Sequence, residues 1–135
     1  MNPENIFELI PKDKFDQKPF HKLMEISEEE IQPILPELLS WMADVNWPIA
    51  KDIVRVLTRF PNSIVPLIKE RLKPSERDED WKYFIISSLI PQLSKDAQIL
   101  LDNDISRIIT HPTDNEIHAE VWNIAKDYKD HFERI

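Results

Sequence analysis

Not one of the 135 residues of this chain is glycine. Ordinary usage would place about nine or ten in a chain of this length. Glycine supplies the positive-φ positions on which two-residue hairpins, phosphate-cradling loops and strained catalytic turns depend. Its absence argues against a P-loop, a dinucleotide-binding fingerprint, a nucleophile elbow and an EF-hand loop. It argues equally against an all-β fold built on Asn-Gly or Asp-Gly turns. Cysteine is absent too, which excludes zinc ribbons, disulfide frameworks, thiol catalysis and iron–sulfur clusters.

What remains is helical. Ser27-Glu28-Glu29-Glu30 and Thr113-Asp114-Asn115-Glu116 have the form of capping boxes, in which the hydroxyl and the third-position glutamate satisfy each other's backbone N–H groups. Asp16 and Ser94 are further candidate starts. Between Pro48 and Phe60, the residues Ile49, Ile53, Val56, Leu57 and Phe60 share one helical face, with Lys51, Arg55 and Arg59 on the other. Ile117, Val121, Ile124, Tyr128 and Phe132 predict a second core stripe, widened by Trp122 and Ala125. The stretch 81–93 is apolar nearly all round and predicts a helix covered on both sides. Pro33, Pro36, Pro66 and Pro91 fall within helical patterns, where they must kink or restart the helix. Without glycine, Asn46, Asn62 and Asn103 are the candidates for left-handed helix ends.

The chain also repeats itself. Ile31, Pro33, Glu37 and Leu39 recur as Ile64, Pro66, Glu70 and Leu72, an offset of 33 residues, and Trp47 recurs as Trp81 at 34. A period in the thirties with two helices per unit describes a helical solenoid. The expected organisation is one all-α domain over 1–135: an N-terminal cap (1–26) with a helix near 19–25, repeat 1 (27–60), repeat 2 (61–93) and a degenerate repeat 3 (94–135).

The proline and apolar pair of the first helix, the aspartate in the turn and the second-helix start Trp47-Pro48-Ile49-Ala50 resemble HEAT or armadillo-type repeats. That resemblance implies a compact right-handed α–α superhelix. Leu9-Ile10-Pro11-Lys12-Asp13-Lys14, Asn46-Trp47-Pro48-Ile49-Ala50 and Asp80-Trp81-Lys82-Tyr83 further resemble a bacterial family, domain of unknown function 5071, over about 9–127. This resemblance implies a bacterial source and the fold; it implies no activity.

Several residue groups invite a functional reading. Lys51, Arg55 and Arg59 form a basic ridge on the second helix of a repeat; with Lys82 of the next repeat they are the expected partner-binding residues. Trp47 and Trp81, beside Asp44 and Asp80, could line an aromatic–acidic pocket. HEAT-like DNA glycosylases use such pairs, so the resemblance also allows a repair enzyme. Recurrence at a fixed offset favours packing instead, because catalytic residues do not normally repeat with each unit. Asp127 and His131 are spaced i, i+4 without a further histidine, and Asp102-Asn103-Asp104 opens like a calcium loop but lacks its glycine. No metal or cofactor is expected. Ser87-Ser88 reads as small-residue packing, and 76–80 as a solvated loop.

The formal net charge of −8 weighs against nucleic-acid and membrane binding. No apolar run reaches half a membrane span, and no signal peptide is visible at the start. The expectation is therefore a cytoplasmic, non-enzymatic module, monomer or weak homodimer, that binds a protein partner on a concave helical surface. An immunity- or antitoxin-like protein masking a basic toxin is the alternative of the same acidic surface.

Overall fold

The structure, a computed structural model, describes residues 3–44 and 48–133. Among these residues every regular element is helical and there is no strand. After a 3₁₀ segment (Pro3–Leu9), ten α-helices follow: α1 (Phe20–Leu23), α2 (Glu28–Ile31), α3 (Leu35–Ser40), α4 (Ala50–Leu57), α5 (Pro61–Arg71), α6 (Glu79–Phe84), α7 (Lys95–Leu100), α8 (Asp102–Thr110), α9 (Asp114–His118) and α10 (Val121–Glu133).

The helix starts sit where local chemistry satisfies orphan N–H groups. Ser27 Oγ accepts from the Glu30 N–H while Glu30 Oε1 accepts from the Ser27 N–H, both at 3.2 Å. Thr113 and Glu116 repeat the arrangement at α9. Ser94 Oγ accepts the Ala97 N–H at the start of α7. Asp16 caps no helix; its carboxylate accepts the Lys12 and Lys18 N–H groups and ties a loop, and α1 begins behind Pro19 with no side-chain cap. In the expected loop 76–80, Asp78 caps α6 by accepting the Trp81 N–H, and Glu76 pairs with Arg71 at 2.8 Å.

Pro33, Pro36 and Pro91 restart helices as expected, whereas Pro66 does not. α2 passes through a 3₁₀ turn containing Pro33 (Gln32–Ile34) before α3, which carries Pro36 in its first turn. α6 runs into a π-turn (Ile85–Leu89) and then a 3₁₀ turn (Ile90–Gln92). Pro91 has no N–H to continue the i→i+4 ladder from Ser87, so the helix widens and then tightens around it. Pro66 is accommodated within α5.

Asn62 and Asn103 do not form left-handed ends; they lie inside α5 and α8, and Asn46 lies outside the described residues. Helices close instead through right-handed caps such as Thr58 (φ −70°) and Leu72 (φ −90°), which need no positive φ. The described residue with positive φ is Glu120, at 64°, between α9 and α10.

One continuous core runs the length of the molecule, from Ile31, Leu38 and Met42 through Ile53, Ile64 and Ile85 to Ile105 and Val121. In the segment 85–90, Ile85, Ile86, Leu89 and Ile90 are all buried, while Ser87 and Ser88 stay half-buried on its more open side. Ile117 departs from the expected stripe and is 48% exposed. The break at Glu120 puts α9 and α10 out of phase, and Glu116 turns inward where a continuous helix would have aimed Ile117.

Side-chain hydrogen bonds at similar sequence separations stitch successive segments together. Ser63 donates to Glu28 (separation 35), Lys69 to Asp104 (35), Arg107 to the Leu72 carbonyl (35) and Lys82 to Glu116 (34).

Candidate functional site

α4 buries Ile53, Val56 and Leu57 against α3 and α1, and this fixes which face turns outward. Lys51 and Arg55, one helical turn apart, are exposed on that outer face. At about 1.5 Å rise per residue their stems leave the helix about 6 Å apart along its axis. Neither side chain makes an ion pair or side-chain hydrogen bond among the described residues. Together with Ala50 and Val54 they form one wall of a groove of about 480 Å³. Ser88, from the π-turn, and Gln92, from the following 3₁₀ turn, also line it. The lining thus holds two cations, two neutral polar side chains, an apolar floor and no carboxylate.

A second polar assembly is built around two fully buried side chains, Lys82 and Glu116. The Glu116 carboxylate accepts from both nitrogens of Arg107 (2.5 and 2.8 Å), from Lys82 Nζ (2.9 Å) and from the Thr113 N–H (2.8 Å). Arg107 also donates to the Leu72 carbonyl at 2.7 Å, and Lys82 lies 3.4 Å from Glu79. Burial works to raise the Glu116 pKa, but the Arg107 guanidinium, the Thr113 N–H and Lys82 outweigh it and hold it down at about 2. Glu79 moves the other way: burial raises its pKa against the pull of Lys82, and its Oε1 is buried without a partner. These charges neutralise one another across α6, α8 and α9 and so bind the helices together.

A family model described as a domain of unknown function, DUF5071, matches residues 9–128. The chain belongs to this family. No curated protein matches it. The DUF5071 segment contains both the groove and the buried Lys82–Glu116–Arg107 assembly.

Within that segment, two expected partner-binding residues are drawn inward. α4 ends at Leu57 with Thr58 as its cap, so Arg59 has left the helix and is no longer on the ridge. Its guanidinium donates to the Leu23 carbonyl (2.6 Å) and the Ile26 carbonyl (3.1 Å) and lies over the Phe60 ring. Lys82 is wholly buried and offers no charge to a partner, because it sits on the inward face of α6 and its ammonium is held by Glu116 and Glu79. Its burial was not legible locally: Glu79 stands three residues before it, but Glu116 had to be brought to it by the fold.

Trp81 is half-buried, its indole N–H donating to the Leu39 carbonyl at 2.9 Å and its ring facing the Arg71 guanidinium. Asp80 is exposed in the first turn of α6, and Asp44 is half-buried at the end of the 3₁₀ turn after α3. Trp47 lies outside the described residues. Asp102 pairs with Lys129, and Asp104 lies 2.9 Å from Lys69, both in the first turn of α8. Asp127 and His131 are exposed on α10, and no group of three potential metal ligands is assembled among the described residues. No described helix is long and apolar enough to cross a membrane.

A larger cavity, about 900 Å³, lies over residues 8–22. There Lys12, Lys18 and Lys22 are matched by Glu8, Asp13 and Asp16. That lining has no net charge, which distinguishes it from the groove beside α4.

Proposed function

We propose that this DUF5071 protein is a non-enzymatic interaction module of a bacterial cytoplasm, built as a compact right-handed superhelix of HEAT/armadillo-like hairpins. Each hairpin pairs a proline-interrupted first helix with a second helix, and the second helices form the partner-binding face. The links of 34 and 35 residues between successive segments support the stacking.

The observation that carries the reading is the unpaired Lys51–Arg55 wall. In a chain of net charge −8, most cations near the core are consumed internally, as Arg59, Lys82 and Arg107 are. Two neighbouring cations left facing an open groove, with no carboxylate in its lining, favour a partner that brings the opposite charge. On this reading the protein partner docks between α4 and the 85–92 segment.

The test is affinity capture of the tagged chain from its native cells, in parallel with the Lys51→Glu/Arg55→Glu double variant, with identification by mass spectrometry. A protein retained by the natural chain and lost by the double variant is the expected result. Identical captures from both would overturn the reading.

A further inference from the structure

We infer that the groove between α4 and the 85–92 segment holds an extended acidic peptide segment of the partner, with two carboxylates two residues apart seated on Lys51 and Arg55. The inference rests on the groove being the partner site and adds the chemistry of what enters it.

Spacing is the first support. The two cations stand about 6 Å apart along α4, and side chains at i and i+2 of an extended chain, which point the same way, are about 6.7 Å apart. The remaining lining is the second. Ser88 Oγ, although 3.2 Å from Ser87 Oγ, keeps hydrogen-bonding capacity, and the Gln92 amide offers both donors and an acceptor. Those groups suit the free N–H and C=O groups of an extended peptide. A helical ligand has already satisfied its backbone internally and would leave them unused. Val54 and Ala50 provide an apolar floor on which a side chain or Cα hydrogen of the peptide rests. Charge supplies the third support. A long polyanion such as single-stranded RNA would meet the repulsion of a −8 surface beyond the groove, whereas a short acidic segment presents its few charges locally.

The experiment is selection of a randomised dodecapeptide phage library on the full-length protein, followed by fluorescence anisotropy of the enriched peptides. Binding is measured to the natural chain, to Lys51→Glu/Arg55→Glu and to Gln92→Ala, each checked for helicity by circular dichroism. Enrichment of Asp or Glu at i and i+2 is expected. Affinity should fall by about tenfold or more on reversing the two charges and severalfold on losing the Gln92 amide. Selection without acidic pairs, acidic pairs at i and i+4, no enrichment at all, or binding indifferent to the charge reversal would each overturn the inference. So would tighter binding of a labelled oligoribonucleotide than of any selected peptide. If cellular capture still depends on Lys51 and Arg55 while the peptide result fails, the groove survives as the partner site and only its acidic, extended occupant is lost. If capture is also indifferent, both readings fall.

Discussion

Lys82 Nζ lies 2.9 Å from Glu116 Oε2, and neither side chain has any surface exposed to solvent. Two ions taken fully out of water gain less from each other than desolvation costs unless further partners are present. Here they are: Arg107 grips Glu116 with both nitrogens, and Thr113 adds a backbone N–H. Glu116 is the hub: removing it leaves Lys82 with Glu79 alone and Arg107 with backbone carbonyls alone, whereas removing Lys82 leaves Glu116 still held. Glu116→Leu should therefore cost about 3–5 kcal/mol, and Lys82→Met measurably less. Urea denaturation of both variants checks the order; a costlier Lys82→Met would mean that Arg107 does not hold the carboxylate.

The same carboxylate sets an acid limit on the fold. Its folded pKa, about 2, lies below the ordinary glutamate value of 4.5, so its stabilisation is fully present above about pH 4.5 and is lost as pH falls through 2. A shift of that size corresponds to about 3 kcal/mol. Glu79, shifted upward, has the opposite sign: its contribution favours the fold at low pH and is lost as pH rises through its folded value. The net expectation is a loss of stability on acidification between about pH 4.5 and 2, and Glu116→Gln should flatten that slope. Equal slopes for the two proteins in thermal melts across this range would exclude Glu116 as the source.

Arg59 fastens the N-terminal helix to the rest of the molecule by donating to the Leu23 and Ile26 carbonyls. Arg59→Ala leaves both acceptors without that partner and should cost about 1–3 kcal/mol. Arg59→Lys has a single ammonium in place of the planar fork and should recover only part of this. Hydrogen exchange should speed up in residues 20–26 more than in α8 or α10. Uniform acceleration along the chain would show that the contact is not local.

Glu120 is where glycine would ordinarily stand. Its φ of 64° puts a Cβ-bearing side chain in the left-handed region, at a cost of about 1–2 kcal/mol. Glu120→Gly relieves that cost but adds chain entropy to the unfolded state. A net gain of about 0.5–1 kcal/mol is expected, seen as a higher denaturation midpoint with an unchanged slope. A loss of stability would mean that the Glu120 side chain contributes something the backbone angle does not reveal.

Much of the secondary structure was legible in the chain, because helix starts and stops are local events. Ser27, Ser94 and Thr113 reach N–H groups three residues away, and a proline perturbs only its own turn. The outward placement of Lys51 and Arg55 was equally readable from the apolar spacing of Ile53, Val56 and Leu57. The phase break at Glu120 was not, since glutamate carries no signal for a left-handed turn, and the helical spacing of Ile117 therefore points to the core.

From the sequence alone came an all-helical chain without glycine-dependent loops, its capping boxes, the proline restarts and the basic edge of α4. Only the tertiary structure decided which of the expected binding cations remain free. Arg59 and Lys82 look like Lys51 and Arg55 in the linear chain, yet the groups that draw them inward, Leu23, Ile26 and Glu116, lie 33 to 36 residues away. Whether a charge is spent inside or offered outside depends on what packing brings within about 3 Å of it, and that distance is not written in local spacing.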